Sequence, residues 1–414
     1  MNNESFTTVW DLMSGAASAM DLLVQGRPMH HEQAAYLAYT IAEEMGLNDN
    51  LKRLAMYSAV FHNVDAVCVD PEVEKNGKGG LYEIGTSLFM DVPETRNIGL
   101  VVRMMNGNHQ AEDLARKRGL SDVAAVVLIA VNASLSINPN KPVLNQVATI
   151  VKQVHQVYTG EVSNAVLEAF DRVAEREFVW MDMLFHPQNL HKSVGNIRGL
   201  SIAETMTLTK IMAQLIDYKS SYTAMHSAGV AATAYAIAEL LGMSDTECMK
   251  MAIAGNLHDL GKLKIDNSIL DKPGRLTKDE YNTVREHAYY TYAIMSQIRG
   301  FEEITEWASF HHEQLNGNGY PFHLSEKDLC LGARIMAVAD VFAAVAEVRP
   351  YREGMGRNQA LDVLLDDVDR GILSEQIVDV LKKNYETVNG YRDKWCRDAG
   401  KKYYDAVHRG VENE

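Results

Sequence analysis

Long hydrophobic runs, paired cysteines and a surplus of positive charge are all missing from this chain of 414 residues. Its most apolar stretch, VAAVVLIAVNA from Val123 to Ala133, is far short of the roughly 20 residues a membrane span requires, and it predicts a buried helix instead. The opening MNNESFTTVW has neither the basic start nor the apolar run of an export signal, which argues for a cytoplasmic protein. The four cysteines, Cys68, Cys248, Cys330 and Cys396, form no CxxC pair; that argues against a disulfide framework and suits a reducing cytosol. A formal charge of −15 argues against binding to polymeric nucleic acid or an anionic membrane. Any phosphate-bearing ligand must then be met by a local cluster of cations. Only nine prolines occur, several in turn settings such as Asn138-Pro139, Tyr320-Pro321 and Arg349-Pro350.

Helical periodicity fills the space these absences leave. MHHEQAAYLAYTIAEEMGL, NAVLEAFDRVAEREF, AGVAATAYAIAELLGM and NQALDVLLDDVDRGI all place apolar residues at intervals of three and four, and few stretches alternate like strands. The expected fold is all-α. At this length, with 47% hydrophobic residues, two or more domains are expected.

Shifting the chain by 196 positions brings His30 onto His226 and His62 onto His258 without a gap. Between these anchors Ala35, Ala38, Tyr39, Ile41, Ala42, Glu43, Gly46 and Asp49 recur as Ala231, Ala234, Tyr235, Ile237, Ala238, Glu239, Gly242 and Asp245. A weaker match sets the segment around Asn132 beside the segment around Asp340. The reading is a duplicated domain, 1–190 and 191–414, with the boundary in the turn-prone stretch from His186 to Gly199. The carboxylates fail to repeat: Asn63 stands for Asp259 and Asn132 for Asp340. An amide keeps the shape but not the anion that holds divalent cations, so the first copy is expected to be a metal-poor, regulatory or dimerisation domain.

The second copy carries His226, His258-Asp259, His287, His311-His312 and Asp340, a mixed nitrogen and oxygen set that suits transition ions better than magnesium or calcium. Gly317 and Gly319, in HHEQLNGNGYP, allow a tight turn after the paired histidines.

HDLGK, HHEQLNGNGYP and RIMAVADVFAAVAEVRPYR, in that order, resemble the HD-GYP family, a branch of the HD metal-dependent phosphohydrolases. The resemblance covers about His226 to Thr387 and extends in degenerate form over the first half, which implies two tandem HD-type helical domains. It implies a phosphodiesterase that opens a bacterial cyclic dinucleotide, cyclic di-GMP or 3′,3′-cyclic GMP-AMP, to the linear form. Carried over by position, His226, His258, Asp259 and Asp340 would hold one metal and His287, His311 and His312 a second, with Asp259 bridging. Iron or manganese is the expected pair, with nickel or cobalt as alternatives. Two such cations would lower the pKa of a shared water, and the resulting hydroxide would attack phosphorus. Lys262 would neutralise the scissile phosphate, Arg349 and Arg352 would bind its oxygens, and Tyr320 would line the pocket.

Three features, one of them a pair of residues, depart from the family pattern. Tyr222 stands where some members have a glutamate ligand for a third metal, which implies two ions here. Leu315-Asn316 replaces the usual Trp-Asp, and Ala343 replaces an acidic residue, which leaves both messengers open as substrate. The competing readings are a non-catalytic receptor for the messenger and an HD-type nucleotidase. A homodimer is compatible with a duplicated, degenerate first domain.

Overall fold

The computed structural model describes residues 6–23, 29–67, 84–90, 95–185, 187, 198–219, 225–272, 274–347 and 354–409. Tyr222, Arg349, Arg352 and nearly all of the expected boundary stretch lie outside these. The chain is all-α, as expected; among the described residues the only sheet is one pair of two-residue strands. It divides into two compact units, one made chiefly of Gly199–Glu414 with Met1–Asp11, the other of Leu12–Ala66 and Leu81–Arg198.

In the N-terminal unit, α1 (Val9–Asp21) is followed by an antiparallel pair, α2 (His30–Glu44) and α3 (Asp49–Val60), which pack with α4 (Ser121–Leu135). α4 contains the most apolar stretch, and Val123, Val126, Val127, Ile129 and Ala130 are almost fully buried there.

The other unit begins with β2 (Gly199–Leu200), which pairs antiparallel with β1 (Thr7–Thr8), Thr7 opposite Leu200. Then come α5 (Ile202–Tyr218), α6 (His226–Leu240), α7 (Asp245–Leu257), α8 (Lys278–Met295), α9 (Glu302–Ser309), α10 (Leu331–Ala346) and, after two further helices, α11 (Tyr385–Arg409). Capping boxes start three of them: Ser201 with Glu204, Ser244 with Glu247 and Thr277 with Glu280.

The repeat is reproduced at the level of the backbone. α2 and α6 both begin on the first histidine of their copy, and α3 and α7 both begin on the aspartate that follows the turn. Gly46 (φ 71°) and Gly242 (φ 76°) close the preceding helices in the left-handed conformation. Leu47 and Met243 then donate back to Ala42 and Ala238. Alanine dominates α6 because α7 lies against it: a Cβ on Gly255 would sit 2.5 Å from the Ala231 Cα. An antiparallel pair brings the start of its first helix beside the end of its second, so His226 and His258 meet although 32 residues separate them.

Candidate metal centre

Five histidines and two aspartates from five helices and the turns that end them converge inside the second unit. α6 supplies His226 from its first turn, and α7 ends at His258, followed by Asp259 and a short 3-10 turn holding Lys262. α8 supplies His287 from its middle, the end of α9 presents His311 and His312, and α10 supplies Asp340. His226, His258, Asp259, His287 and His311 are buried.

The local structure fixes which ring nitrogen faces inward. His258, His287 and His311 each place Nδ1 on the carbonyl three residues earlier, Gly255, Val284 and Ala308, at 2.8, 2.5 and 2.6 Å. A carbonyl only accepts, so Nδ1 carries the proton and Nε2 offers a lone pair to the interior. His226 opens its helix and instead has Nδ1 3.7 Å from the Glu347 carboxylate.

Two sets of possible ligand atoms form, His226, His258 and Asp259 in one and His287, His311 and His312 in the other, each within 4.8 Å. Asp259 faces both: Oδ2 lies 3.2 Å from His258 Nε2 and 3.8 Å from His226 Nε2, and Oδ1 lies 3.4 Å from His287 Nε2. Asp340 Oδ1 is 3.2 Å from His226 Nε2, and its Oδ2 is 3.9 Å from His312 Nδ1. The residues fit metal ions on two further observations. His258 Nε2 and Asp259 Oδ1 are buried without a hydrogen-bond partner. His287 and His311 point Nε2 at each other across 3.4 Å, so two lone pairs face each other where a cation would be attracted to both.

Burial sets the protonation of the histidine-rich half. It drives His287 down to about 3 and His312 down to about 4, and it holds His311 well below the ordinary value too, with His312 adding to the effect there. Burial also opposes charge on His226, but Asp340 and Glu347 outweigh it and raise the imidazole to about 10. Burial opposes ionisation of Asp259 and Asp340 too; His258 with Lys262 at Asp259, and His226 with His311 at Asp340, still hold both far below the usual carboxylate range. Lys262 Nζ lies 2.5 Å from Asp259 Oδ2.

Close backbone packing holds these groups in place. The Gly261 N–H donates to Thr291 Oγ1 (2.9 Å), whose hydroxyl donates to the His258 carbonyl (3.1 Å). A Cβ on Gly261 would lie 2.0 Å from the His287 carbonyl oxygen. Gly261→Ala is therefore expected to push the His258-Asp259 turn away from α8, at a cost of about 1–3 kcal/mol. A lower melting temperature together with lost metal content would show this; unchanged values of both would refute it.

The loop after His312 is held by Glu313, whose buried carboxylate accepts from the backbone N–H groups of Phe322 (2.7 Å) and Leu324 (2.9 Å). Gly319 permits the fold-back, since a Cβ there would lie 2.4 Å from the Glu313 Cα. The Tyr320 ring stands 4.8 Å from the His312 ring, and burial raises its phenol above the ordinary value.

All seven expected metal ligands, Lys262 and Tyr320 are thus gathered in one place. Sequence reasoning missed Glu347, Thr291, the support role of Glu313, and Arg285, whose guanidinium lies 4.7 Å over the Tyr320 ring. Glu347 follows Asp340 by seven residues, two helical turns, and that spacing was a usable signal.

The sister site of the N-terminal unit is built differently. Its His62 repeats the Nδ1 contact of His258, to Ala59 O at 2.8 Å. In the second unit Asp217 accepts from Ser227 N (3.1 Å) and Oγ (2.7 Å). The equivalents are Asp21 and His31, and the larger His31 ring bridges Asp21 Oδ1 (2.5 Å) and Asn63 Oδ1 (2.9 Å). An imidazole thus takes up the side chain that replaces Asp259. Asn132, which the weaker sequence match sets beside Asp340, is exposed and hydrogen-bonded to Tyr158.

A helical cage of histidines and aspartates opened by a His-Asp pair defines an HD domain, and residues 210–372 match the family model described as HD domain. Residues 210–372 thus carry an HD domain, and the Gly319-Tyr320-Pro321 string lies within them. It is 32% identical over 235 residues to 3'3'-cGAMP-specific phosphodiesterase 1 of Vibrio cholerae, covering 54% of each. It is 39% identical over 163 residues to the cyclic di-GMP phosphodiesterase response regulator RpfG of Xanthomonas campestris, covering 39% of this chain and 43% of the relative. The chain spans about half the length of the curated relatives it matches. A solved structure of a cyclic GMP-AMP specific phosphodiesterase of V. cholerae matches 92% of this chain and 98% of its own, with TM-score 0.60 and 18% identity, which shows a shared fold.

Proposed function

We propose that the chain is a metal-dependent phosphodiesterase that opens a cyclic dinucleotide, 3′,3′-cyclic GMP-AMP or cyclic di-GMP, to its linear form. The observation that carries this reading is Asp259, which turns one carboxylate oxygen to each of two histidine groups whose Nε2 atoms face inward. His226, His258, Asp259 and Asp340 would hold one ion and His287, His311 and His312 the other, with iron or manganese the chemically suited pair. When bound, such ions supply Lewis acidity toward phosphate oxygens and acidify a shared water.

The chain's own residues do the rest. Lys262, now paired with Asp259, is within reach of an anion arriving over the cage, and it gives an acidic protein a local cation for phosphate. Tyr320 covers the His312 side and limits access of bulk water. Arg349 and Arg352 remain proposed phosphate ligands outside the described residues.

The first unit, 1–190 in this reading, acts as a degenerate HD-like regulatory or dimer-forming domain, supported by His31 bridging Asp21 to Asn63. A cytoplasmic location belongs to the same proposal. It is supported by three free cysteines among the described residues, and no described helix is long and apolar enough to cross a membrane.

The test is to load the full chain with manganese or iron, count ions per chain, and identify products from cyclic di-GMP, cyclic di-AMP and 3′,3′-cyclic GMP-AMP. Two ions and a linear dinucleotide are expected. Binding of a messenger with no product would instead favour a receptor, and turnover of mononucleotides alone would favour a nucleotidase.

A further inference from the structure

Beside the cage, on the Tyr320 side, opens a cavity of about 410 Å³ lined by Asn282, Arg285, Glu286, Tyr289, Tyr290 and Tyr320. Its size falls within the roughly 300–1,000 Å³ of small-molecule sites. Asn282, Arg285, Glu286 and Tyr289 follow the spacing i, i+3, i+4, i+7 along α8 and so share one face. The same helix carries His287 into the metal cage, so the cavity lies beside the place where the reacting phosphodiester would sit.

The lining carries unused recognition chemistry. Arg285 stacks its guanidinium on the Tyr320 ring at 4.7 Å, yet its Nε is buried and makes no hydrogen bond. A buried donor without a partner is costly, and a ligand acceptor would relieve it. Glu286, next in sequence, is exposed and acceptor-only; Tyr290 contacts it at 3.3 Å. Tyr289 is 52% exposed, an uncovered aromatic face at the cavity rim. A donor fork, a carboxylate and flat aromatic faces together match one nucleobase. Guanine offers O6 and N7 as adjacent acceptors and N1–H with its 2-amino group as adjacent donors. Adenine presents an amino group where guanine has O6, and that group would oppose the arginine.

We propose, resting on the phosphodiesterase reading, that this cavity is the guanine site of the substrate. Arg285, held on the Tyr320 ring, donates to O6 and N7, Glu286 accepts from N1–H and the 2-amino group, and the Tyr289 ring stacks the base. Seating one guanine here fixes the attached phosphodiester against the cage, so the site sets both selectivity and alignment.

The experiment measures kcat/KM for cyclic di-GMP, 3′,3′-cyclic GMP-AMP and cyclic di-AMP in the metal-loaded full chain and in Glu286→Gln and Arg285→Met, with metal content determined for each. The two guanine-bearing substrates are expected to exceed cyclic di-AMP by about 100-fold, and each variant to cut that preference about tenfold, as bidentate base contacts do. Glu286 is exposed, so Glu286→Gln decides the matter if Arg285→Met fails to fold. Variants with full metal and the wild-type ratio would overturn the guanine site, as would a wild type that prefers cyclic di-AMP. If the wild type hydrolyses none of the three, the reaction reading fails, and calorimetry with GMP and AMP then decides the site. GMP binding that weakens about tenfold in Glu286→Gln supports it, and equal binding of GMP and AMP overturns it.

Discussion

Replacing Asp259 with asparagine is expected to leave the fold standing while emptying the proposed metal centre and cutting turnover by about a thousand-fold or more. Loss of one well-placed electrostatic donor already costs roughly 100- to 1,000-fold in catalysis, and Asp259 supports two sets of ligands. Its Oδ2 is 3.2 Å from His258 Nε2 and its Oδ1 is 3.4 Å from His287 Nε2, so one amide removes the anion from both sides at once. Lys262, 2.5 Å from Oδ2, would then face the empty positions with its charge uncompensated and oppose the entry of cations. The N-terminal unit shows that the fold accepts this residue, because Asn63 stands at the equivalent position and is hydrogen-bonded to His31. Elemental analysis and melting temperature, measured together on Asp259→Asn, check the prediction. A variant that keeps its metal and its turnover would remove the bridging carboxylate from the account.

Much of this centre was legible in the sequence because its geometry is local or repeated. The 196-residue offset placed the starts of α2, α3, α6 and α7 and singled out His226 and His258; the adjacent His311 and His312 needed only a turn after them. The charge lost at Asn63 was legible for the same reason. What remained hidden depends on packing between elements. The β1–β2 pairing joins residues nearly half the chain apart in sequence, so no window along the chain reports it. Thr291 matters only because α8 approaches the turn closely enough to meet the Gly261 N–H. Arg285 gains its place only from Tyr320, which a separate loop brings against its guanidinium. His31 was adjacent to an identified residue, but its effect requires Asp21 and Asn63 to close around the ring.

Removing the metals is expected to make the second unit acid-labile well above the range where carboxylates titrate. In the metal-free cage burial lowers His287 from 6.5 to about 3 and His312 to about 4, and holds His311 well below 6.5. Unfolding returns these imidazoles to ordinary values, so between pH 6.5 and 4 the unfolded chain binds more protons than the folded one, and stability falls as pH falls. One such histidine contributes about 1.4 kcal/mol per pH unit, and three in one cage should exceed that slope between pH 6 and 5. His226 works in the opposite sense: raised to about 10, its stabilisation is complete below pH 6.5 and fades as pH climbs through 10. The carboxylates Asp259 and Asp340 add a further loss only below about 3.8, where the unfolded forms begin to protonate. Stability of the apo unit should therefore peak near neutrality and drop steeply on the acid side. Bound metal would shift that drop to lower pH, because ions held by the folded state alone add stability by mass action and occupy the nitrogens that protons would take. Urea unfolding of chelator-treated protein between pH 7 and 5, with and without added manganese, measures both effects. His287→Gln, which removes one buried imidazole, should flatten the apo slope; a slope that stays the same would show that the cage histidines do not govern acid stability.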